Sequence, residues 1–482
     1  MKLKFGTKLS YGIGGIADNT MYTFASTYLL FYLTTIVGIS PAIAGTITAI
    51  GSVWEAIVGP ITGYVSDNIN TRWGKRKPFL LAAAFPIAIV STLLFTSIDA
   101  SDGFKLVYYL IMTLGFWTCF GGFFVPYMAW GADLTEDYDD RTVLRSYAYF
   151  FNQVGMAVGM VLPTIVVDKL VQIGMSTEFG WQMVGLMVGV VAGGGLLICA
   201  LTNHISDDKN YVKAPTKQKI LSLGKLKEMF LNYGHILKLK PVQYIVFASI
   251  SYLIANTFFS SDRVYFMTFN LKLESDEISL TMLEITLLGI VLVPFVSILS
   301  SKFDKKYILA VGLGIGGATL MVMRFVGISS FTGTLVLCAV YSIANTCYWQ
   351  LMPSVIYDVC EVEAFASGEH HHGEVISLQA LSESLSMAVG FQALGIILEG
   401  AGFVSDNAEQ GAEALSWIEN CFDFIPGLLM IFAMIAILKY PVNKDVYKRM
   451  MKLVDKGGEE FTPAEKEEES KLKKILKIDV KK

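Results

Sequence analysis

Charge is scarce in this sequence. Asp, Glu, Lys and Arg make up only 17% of its 482 residues, against roughly a quarter in soluble domains, while 53% are hydrophobic and the mean hydropathy is +0.52. A string of soluble domains is therefore excluded. Cysteine is sparse too: six residues, scattered mostly within or beside apolar runs, with no pair at metal-ligand spacing. They read as buried thiols, and no metal site is expected from them. There is no Gly-x4-Gly-Lys-Ser/Thr motif, so ATP is not expected to drive any activity. The net charge of −4 offers no basic face for nucleic acid. The first apolar stretch has no small-residue cleavage site and is too long for the core of a signal peptide, so it is expected to stay.

What the chain does have is long apolar runs. Runs of about 18 residues or more are bilayer spans by default, and they recur near 10–36, 41–66, 78–98, 104–131, 143–170, 181–202, 241–269, 279–300, 306–327, 331–357, 374–401 and 416–439. A transmembrane β-barrel would show short alternating segments instead. The prediction is an all-α membrane protein of twelve transmembrane helices in two six-helix halves, residues 1–203 and 241–440. A lysine-rich linker, 204–240, joins them, and a Lys/Glu-rich tail, 441–482, follows as a surface helix or disordered segment. Lys and Arg gather at the N-terminus, in 72–77, in the linker, at 302–306 and in the tail, whereas the alternate loops are neutral or acidic. Basic loops stay in the cytoplasm, so both termini are placed there, in a plasma (inner) membrane, as an even number of spans also requires.

One short turn is denser in charge than the positive-inside rule needs. Residues 67–78, DNINTRWGKRKP, set Asp67, Arg72, Lys75, Arg76 and Lys77 between two apolar helices, with Gly63 one turn earlier. Glycine lets helices approach, and the carboxylate and cations can pair with one another or with a helix end across the bundle. Asp67, Arg72, Lys75 and Arg76 are thus candidates for a conformational gate. Lys302-Phe-Asp304-Lys305-Lys306 sits at the equivalent turn of the second half. A basic turn after the second helix of each half points to parallel repeats, the plan of major facilitator transporters.

The same turn resembles the glycoside–pentoside–hexuronide:cation symporter family, of the melibiose permease type. The resemblance rests on Gly63-x3-Asp67 with Arg72-Trp-Gly-Lys-Arg-Lys-Pro78, KLSYGIGGIADN (8–19), Trp54-Glu55-Ala-Ile57 with Pro60, Val125-Pro-Tyr127, Asp133 with Arg141, and in the second half Trp349, Asp358 with Glu361, and Gly373-Glu374. It implies the major facilitator fold, a sugar-type solute and cation coupling. It also places Asp18, Tyr127, Tyr149 and Trp349 at the solute pocket. Three family features differ here. Where sodium-coupled members carry two further acids, this chain has Gly59 and Phe124. Met128 and Tyr149 replace a pocket aromatic and an arginine. The lysine of helix eleven is missing from Gln379-Ala-Leu-Ser-Glu383-Ser384. Sodium favours several hard oxygen ligands, so the coupling ion is expected to be H+ rather than Na+, with no other cofactor.

Ionisable residues at membrane depth cost roughly 2.5–3.5 kcal/mol on insertion scales and mark functional sites. Asp18 is a candidate for both solute and cation: a carboxylate accepts two hydroxyl hydrogens of a pyranose through charge-assisted bonds. Glu55 is the candidate proton carrier, since burial disfavours a charged carboxylate. Asp262 and Arg263, adjacent on helix seven, point about 100° apart; Arg263 is a candidate for an anionic solute group, or for a charge network that closes a gate. Asn152 is a hydroxyl partner, and Glu383, near the family lysine, a further solute-binding candidate. Arg324 is expected to snorkel. His370-His371-His372 looks like a metal ligand set, but three adjacent histidines cannot all reach one ion from a regular helix. The expected activity is transport, not catalysis: cation-coupled symport of a sugar, glycoside or hexuronide by a monomer in lipid. The alternative is an amphiphilic or lipid-like anion on the same fold, suggested by Phe124 and Met128.

Overall fold

The computed structural model describes the chain except residues 1–3, 70, 72, 135–137, 204–232, 368–371, 406, 408, 455–461 and 477–482, together with the side chains of 67–68, 132–133, 138–142, 145, 372–374 and 377. The linker and the three-histidine loop therefore lie largely outside the described residues.

Twelve long helices form the bundle. The first half contains α1 (Phe5–Phe31, continued by a π turn over Tyr32–Ile36), α2 (Pro41–Asn68), α3 (Lys77–Leu94), α4 (Asp102–Asp133), α5 (Tyr138–Met160, resumed as Leu162–Gln172) and α6 (Thr177–Thr202). The second contains α7 (Lys240–Tyr265, continued by a π turn over Phe266–Asn270), α8 (Ser275–Lys302), α9 (Lys305–Val326), α10 (Phe331–Ser367), α11 (His372–Gly400) and α12 (Ala412–Glu419, a π turn over Asn420–Phe424, then Ile425–Lys439). Eleven of them are long and apolar enough to cross a membrane. The other, α1, has the length but carries more polar residues, Asp18 and Asn19 among them. No strand occurs among the described residues.

The ends depart from the hydropathy limits for a physical reason. α1 starts at Phe5 rather than near 10, and α10 runs to Ser367 rather than 357, because a helix does not stop where its apolar stretch stops. The extension of α10 is acidic and lies beyond the apolar run. After the membrane helices the tail forms two short helices, α13 (Lys444–Val454) and α14 (Pro463–Leu476), tied by Arg449 Nε to Glu468 at 2.7 Å. The Asp304 carboxylate accepts the Lys444 backbone N–H at 2.7 Å and so pins the tail to the turn after α8.

The halves share one register. α2 and α8 are each 28 residues long, with Pro60 and Pro294 at matching positions, and α1 and α7 end in matching five-residue π turns. Helix contacts within each half rely on small residues, as expected where lipid supplies no hydrophobic drive between helices. Gly185, Gly189 and Gly193 form a stripe on α6 against Ser91, Ala88 and Ala84 of α3, with no space for a Cβ. Between the halves, Gly45 of α2 and Gly395 of α11 meet backbone of the opposite helix in the same way.

These inter-half contacts are unevenly placed. At the bundle end away from the chain termini, Thr34 and Tyr265 share a hydroxyl hydrogen bond of 2.6 Å, Ala42 N–H donates to Glu399 at 2.9 Å, and Ser405 donates to the Ile39 carbonyl at 2.9 Å. Phe31, Tyr265 and Phe403 stack edge to face beside them. Among the described residues, every hydrogen bond between the halves lies at this end or at mid-height.

Candidate functional site

A cavity of about 710 Å³ occupies the middle of the bundle between the halves. α1 contributes Asp18, Asn19 and Tyr22, and α2 contributes Glu55. Tyr149, Asn152 and Gln153 come from α5, Asn256 and Arg263 from α7, Asn345 and Trp349 from α10, and Glu383 and Ser384 from α11. Tyr149 and Trp349 are about half exposed, at 46% and 40%. The α5 end that carries Tyr149 is the one nearer the chain termini, so the cavity reaches the surface on that side.

Three carboxylates meet here. The Asp18 Oδ2 accepts a hydrogen bond of 2.6 Å from Asn152 Nδ2, and Asn152 in turn accepts from Asn19. Glu55 Oε2 accepts from Ser384 Oγ at 3.3 Å, a bond that crosses from one half to the other. Glu383, one residue before Ser384, lies within electrostatic reach of both Glu55 and Asp18. Among the described residues no lysine lines the cavity, and the cation that does is Arg263. Arg263 is buried. Its Nη2 approaches Met160 Sδ at 3.3 Å, its guanidinium lies 5.8 Å from the centre of the Phe259 ring, and its Nε has no hydrogen-bond partner. No carboxylate pairs with it among the described residues.

The sequence-predicted residues thus fall into groups. Asp18, Glu55, Tyr149, Asn152, Arg263, Trp349 and Glu383 all line the cavity. Tyr127 does not, which corrects the expectation. Its ring stacks on Tyr11 at 4.6 Å and its hydroxyl donates to the Tyr11 carbonyl at 2.9 Å, so it joins α4 to α1. A buried tyrosine spends its hydroxyl on the nearest acceptor, and here that acceptor is backbone. Asp262, beside Arg263, points away from the cavity. Arg324 does not snorkel: it pairs with Glu419 at 3.2 Å and donates to Asn420 at 2.8 Å.

Of the gate candidates, Arg72 and the Asp67 side chain lie outside the described residues. Arg76 is buried and its Nη1 donates to Ser66 Oγ at 2.6 Å, closing the turn onto the end of α2. Lys75 is part-exposed on the same turn, which Gly74 makes possible with φ +89°. At the equivalent turn of the second half, Lys305 bridges to Asp358 of α10 at 2.7 Å and donates to the Ser354 carbonyl at 2.9 Å. Both turns lie apart from the cavity lining.

Several cavity residues carry no signal in the sequence. Tyr341 donates to Asn256 at 2.6 Å and Tyr252 donates to Asn345 at 2.7 Å, so α10 and α7 are joined by paired phenol–amide bonds at the cavity wall. Tyr22 reaches across to Met387 Sδ at 3.2 Å. Neutral polar residues on apolar helices resemble ordinary interhelical glue, and only the fold shows which of them face a void.

Two six-helix halves around a central polar cavity define a transporter of the major facilitator class. Residues 10–444 match the family described as MFS/sugar transport protein, and the chain belongs to it. Among characterised relatives, the isoprimeverose transporter of Lactiplantibacillus pentosus is 25% identical over 94% of this chain and 92% of its own. The glucuronide carrier protein homolog of Escherichia coli K12 is 24% identical over 94% and 96%. In fold, the chain is similar to a D-xylose–proton symporter, with a TM-score of 0.65 and 13% identity over 90% of this chain and 97% of the other. The family is one of membrane transporters, not enzymes, and this chain is an integral membrane protein.

Proposed function

We propose that this protein is a secondary active symporter that carries a sugar, glycoside or hexuronide together with H+ by alternating access. The carrying observation is the hydrogen bond from Ser384 of α11 to Glu55 of α2, which joins a cavity carboxylate to the opposite half and supports Glu55 as the coupling group. Asp18 and Asn152 supply acceptors and donors for sugar hydroxyls, and Trp349 and Tyr149 supply ring faces for an apolar sugar face. Arg263, a buried guanidinium with no carboxylate partner, suits the carboxylate of a hexuronide, which it can hold by paired charge-assisted bonds. The relatives named for isoprimeverose and a glucuronide span the neutral and acidic versions of this solute class.

Glu55 is also the group through which the ion would act. Gly59 and Phe124 stand where sodium-coupled members carry further acids. The carboxylates that do lie in reach of Glu55, Asp18 and Glu383, make an acid cluster that one proton relieves, with a neutral hydroxyl as the hydrogen-bond donor to Glu55. That supports a proton over sodium. Glu383 stands in reach of Glu55 from the other half, so neutralising one of them relieves like-charge repulsion across the interface. Coupling follows: the proton and the solute together permit the halves to close. With the termini in the cytoplasm, the conformation described here is open inward and sealed outward. The relatives named for isoprimeverose and a glucuronide do not favour a lipid-like anion.

The test is uptake by purified protein in liposomes, with glycosides, pentosides and hexuronides supplied with and without sodium while external pH is followed. Alkalinisation on addition of one sugar, without sodium, is the expected result. Sodium-dependent uptake with no pH change would replace the ion. No uptake of any sugar by folded protein would overturn the reading.

A further inference from the structure

A second pair of carboxylates lies outside the cavity. Asp262 on α7 is wholly buried, and neither of its carboxylate oxygens has a hydrogen-bond partner. Asp423, in the π turn of α12, is also wholly buried, and its Oδ2 has no partner. Asp423 is the charged group whose field Asp262 feels. The contact is built rather than incidental. Phe259, Asp262 and Phe266 follow one another at helical spacing along one face of α7, and Phe422, the neighbour of Asp423, stacks on both rings, at 4.9 Å and 4.4 Å. The π turn is thereby pressed against the turn of α7 that carries Asp262. π turns inside α-helices are frequent at functional sites.

The surroundings offer no counter-charge to Asp262. Arg263 turns into the cavity. On α9, Arg324 is the one cation in reach of Asp423, and it is already shared among Glu419, Asn420 and Ser416. The remaining titratable groups near the pair are the Cys421 thiol, the Tyr265 hydroxyl and Glu419, none of which is positive. Asp262 makes no hydrogen bond and Asp423 only the one its Oδ1 accepts from the Phe424 N–H, and two carboxylates so little compensated at membrane depth are strongly unfavourable. Something positive must be held between them. A sodium ion needs more hard oxygens than the three unpartnered ones present here, in a site otherwise walled by Phe259, Phe266, Phe422 and a thiol. A proton needs only the two carboxylates.

We propose that Asp262 and Asp423 form a proton-binding pair, separate from the solute cavity, that is loaded when the bundle end away from the termini is sealed. The link to the seal is short. Tyr265, on the next turn of α7, makes the hydroxyl bond to Thr34 that joins the two halves there. Binding transfers one proton from water to a carboxylate oxygen of the pair, and release returns it when that end opens and hydrates. The second half thus has a proton site of its own, whatever solute the cavity carries.

Infrared difference spectroscopy on the full-length protein in liposomes without solute tests this directly. The wild type is expected to show the carbonyl band of a buried protonated carboxylic acid near neutral pH. Asp262→Asn and Asp423→Asn should each remove that same band, because the pair titrates as one unit. If either variant fails to fold, the other decides. Read as wild type minus variant, so that the cavity acids Glu55 and Glu383 cancel, a spectrum in which a folded variant of the pair has lost no carboxylic-acid band overturns the proposal. Because no solute is present, neither outcome depends on which sugar, if any, is transported.

Discussion

The two halves repeat one backbone and differ in chemistry. Counted from the first residue of α2 and of α8, Glu55 corresponds to Gly289; counted from their helix starts, Tyr149 of α5 corresponds to Glu383 of α11. Counted back from the matching π turns, Asp18 corresponds to Tyr252. So the first half sets two acids into the cavity, where the second sets a glycine at one place and, at the other, has the phenol of Tyr252 buried behind the wall. The second half returns one acid from α11, where the first has a phenol. The cavity acids therefore sit on α1, α2 and α11, in electrostatic reach of one another, while among the described residues the cation of the lining comes from α7. A symmetric frame gives two rigid bodies that can rock against each other, and the asymmetric acids give the rocking a chemical condition. The second half also carries Asp262 and Asp423 away from the cavity, between its own helices.

The largest effect expected from breaking this asymmetry is at Glu55. Glu55→Gln keeps the shape and the Ser384 contact but fixes the site as neutral. Gradient-driven accumulation of solute in liposomes should fall at least about tenfold, the equivalent of about 1.4 kcal/mol. Exchange of labelled for unlabelled solute, which needs no net proton movement, should persist. Accumulation at wild-type level would move the coupling group out of α2, with Glu383 as the next acid in line.

A smaller and more selective effect is expected at the cavity cation. Arg263→Gln removes the positive charge from the lining. A hydrogen bond to a charged group is worth about 1.5–3 kcal/mol, so uptake of a hexuronide should weaken by roughly ten- to a hundredfold, while a neutral glycoside should change little. The ratio of the two KM values is the readout. Equal loss for both would make Arg263 a packing element against Met160 and Phe259 rather than a solute contact.

The sequence carried the frame well. Long apolar runs, alternating basic loops and repeated turns are one-dimensional signals, and α1–α12 follow them closely. They failed at the ends of α1 and α10, where helix and apolar stretch do not coincide. The cavity was legible at most of the charges inside apolar helices, since Asp18, Glu55, Arg263 and Glu383 face it, whereas Asp262, one residue from Arg263, does not. It was not legible at Tyr127, because a tyrosine's rotamer depends on what lies beside it. Tyr11, more than a hundred residues away in sequence, takes that ring and its hydroxyl. The Ser384–Glu55 bond and the Phe422 clamp on α7 were hidden for the same reason. Each joins helices whose adjacency only the folded bundle defines.

The smallest effect belongs to the position opposite Glu55 in the repeat. Gly289 lines the cavity wall on α8, and a Cβ placed there would meet Gln153 Nε2 at 3.6 Å, an ordinary contact. Nothing in its surroundings requires glycine. Gly289→Ala should therefore leave coupling and the solute KM unchanged. It should raise stability by up to about 1 kcal/mol, since alanine loses less backbone freedom in a helix, and thermal unfolding in detergent would report the gain. A large loss of transport in this variant would mean that α8 must approach α5 more closely in another state of the cycle than it does here. In that case the glycine would be the second half's counterpart to Glu55 in function as well as in place: one half would gate the passage by charge, the other by space.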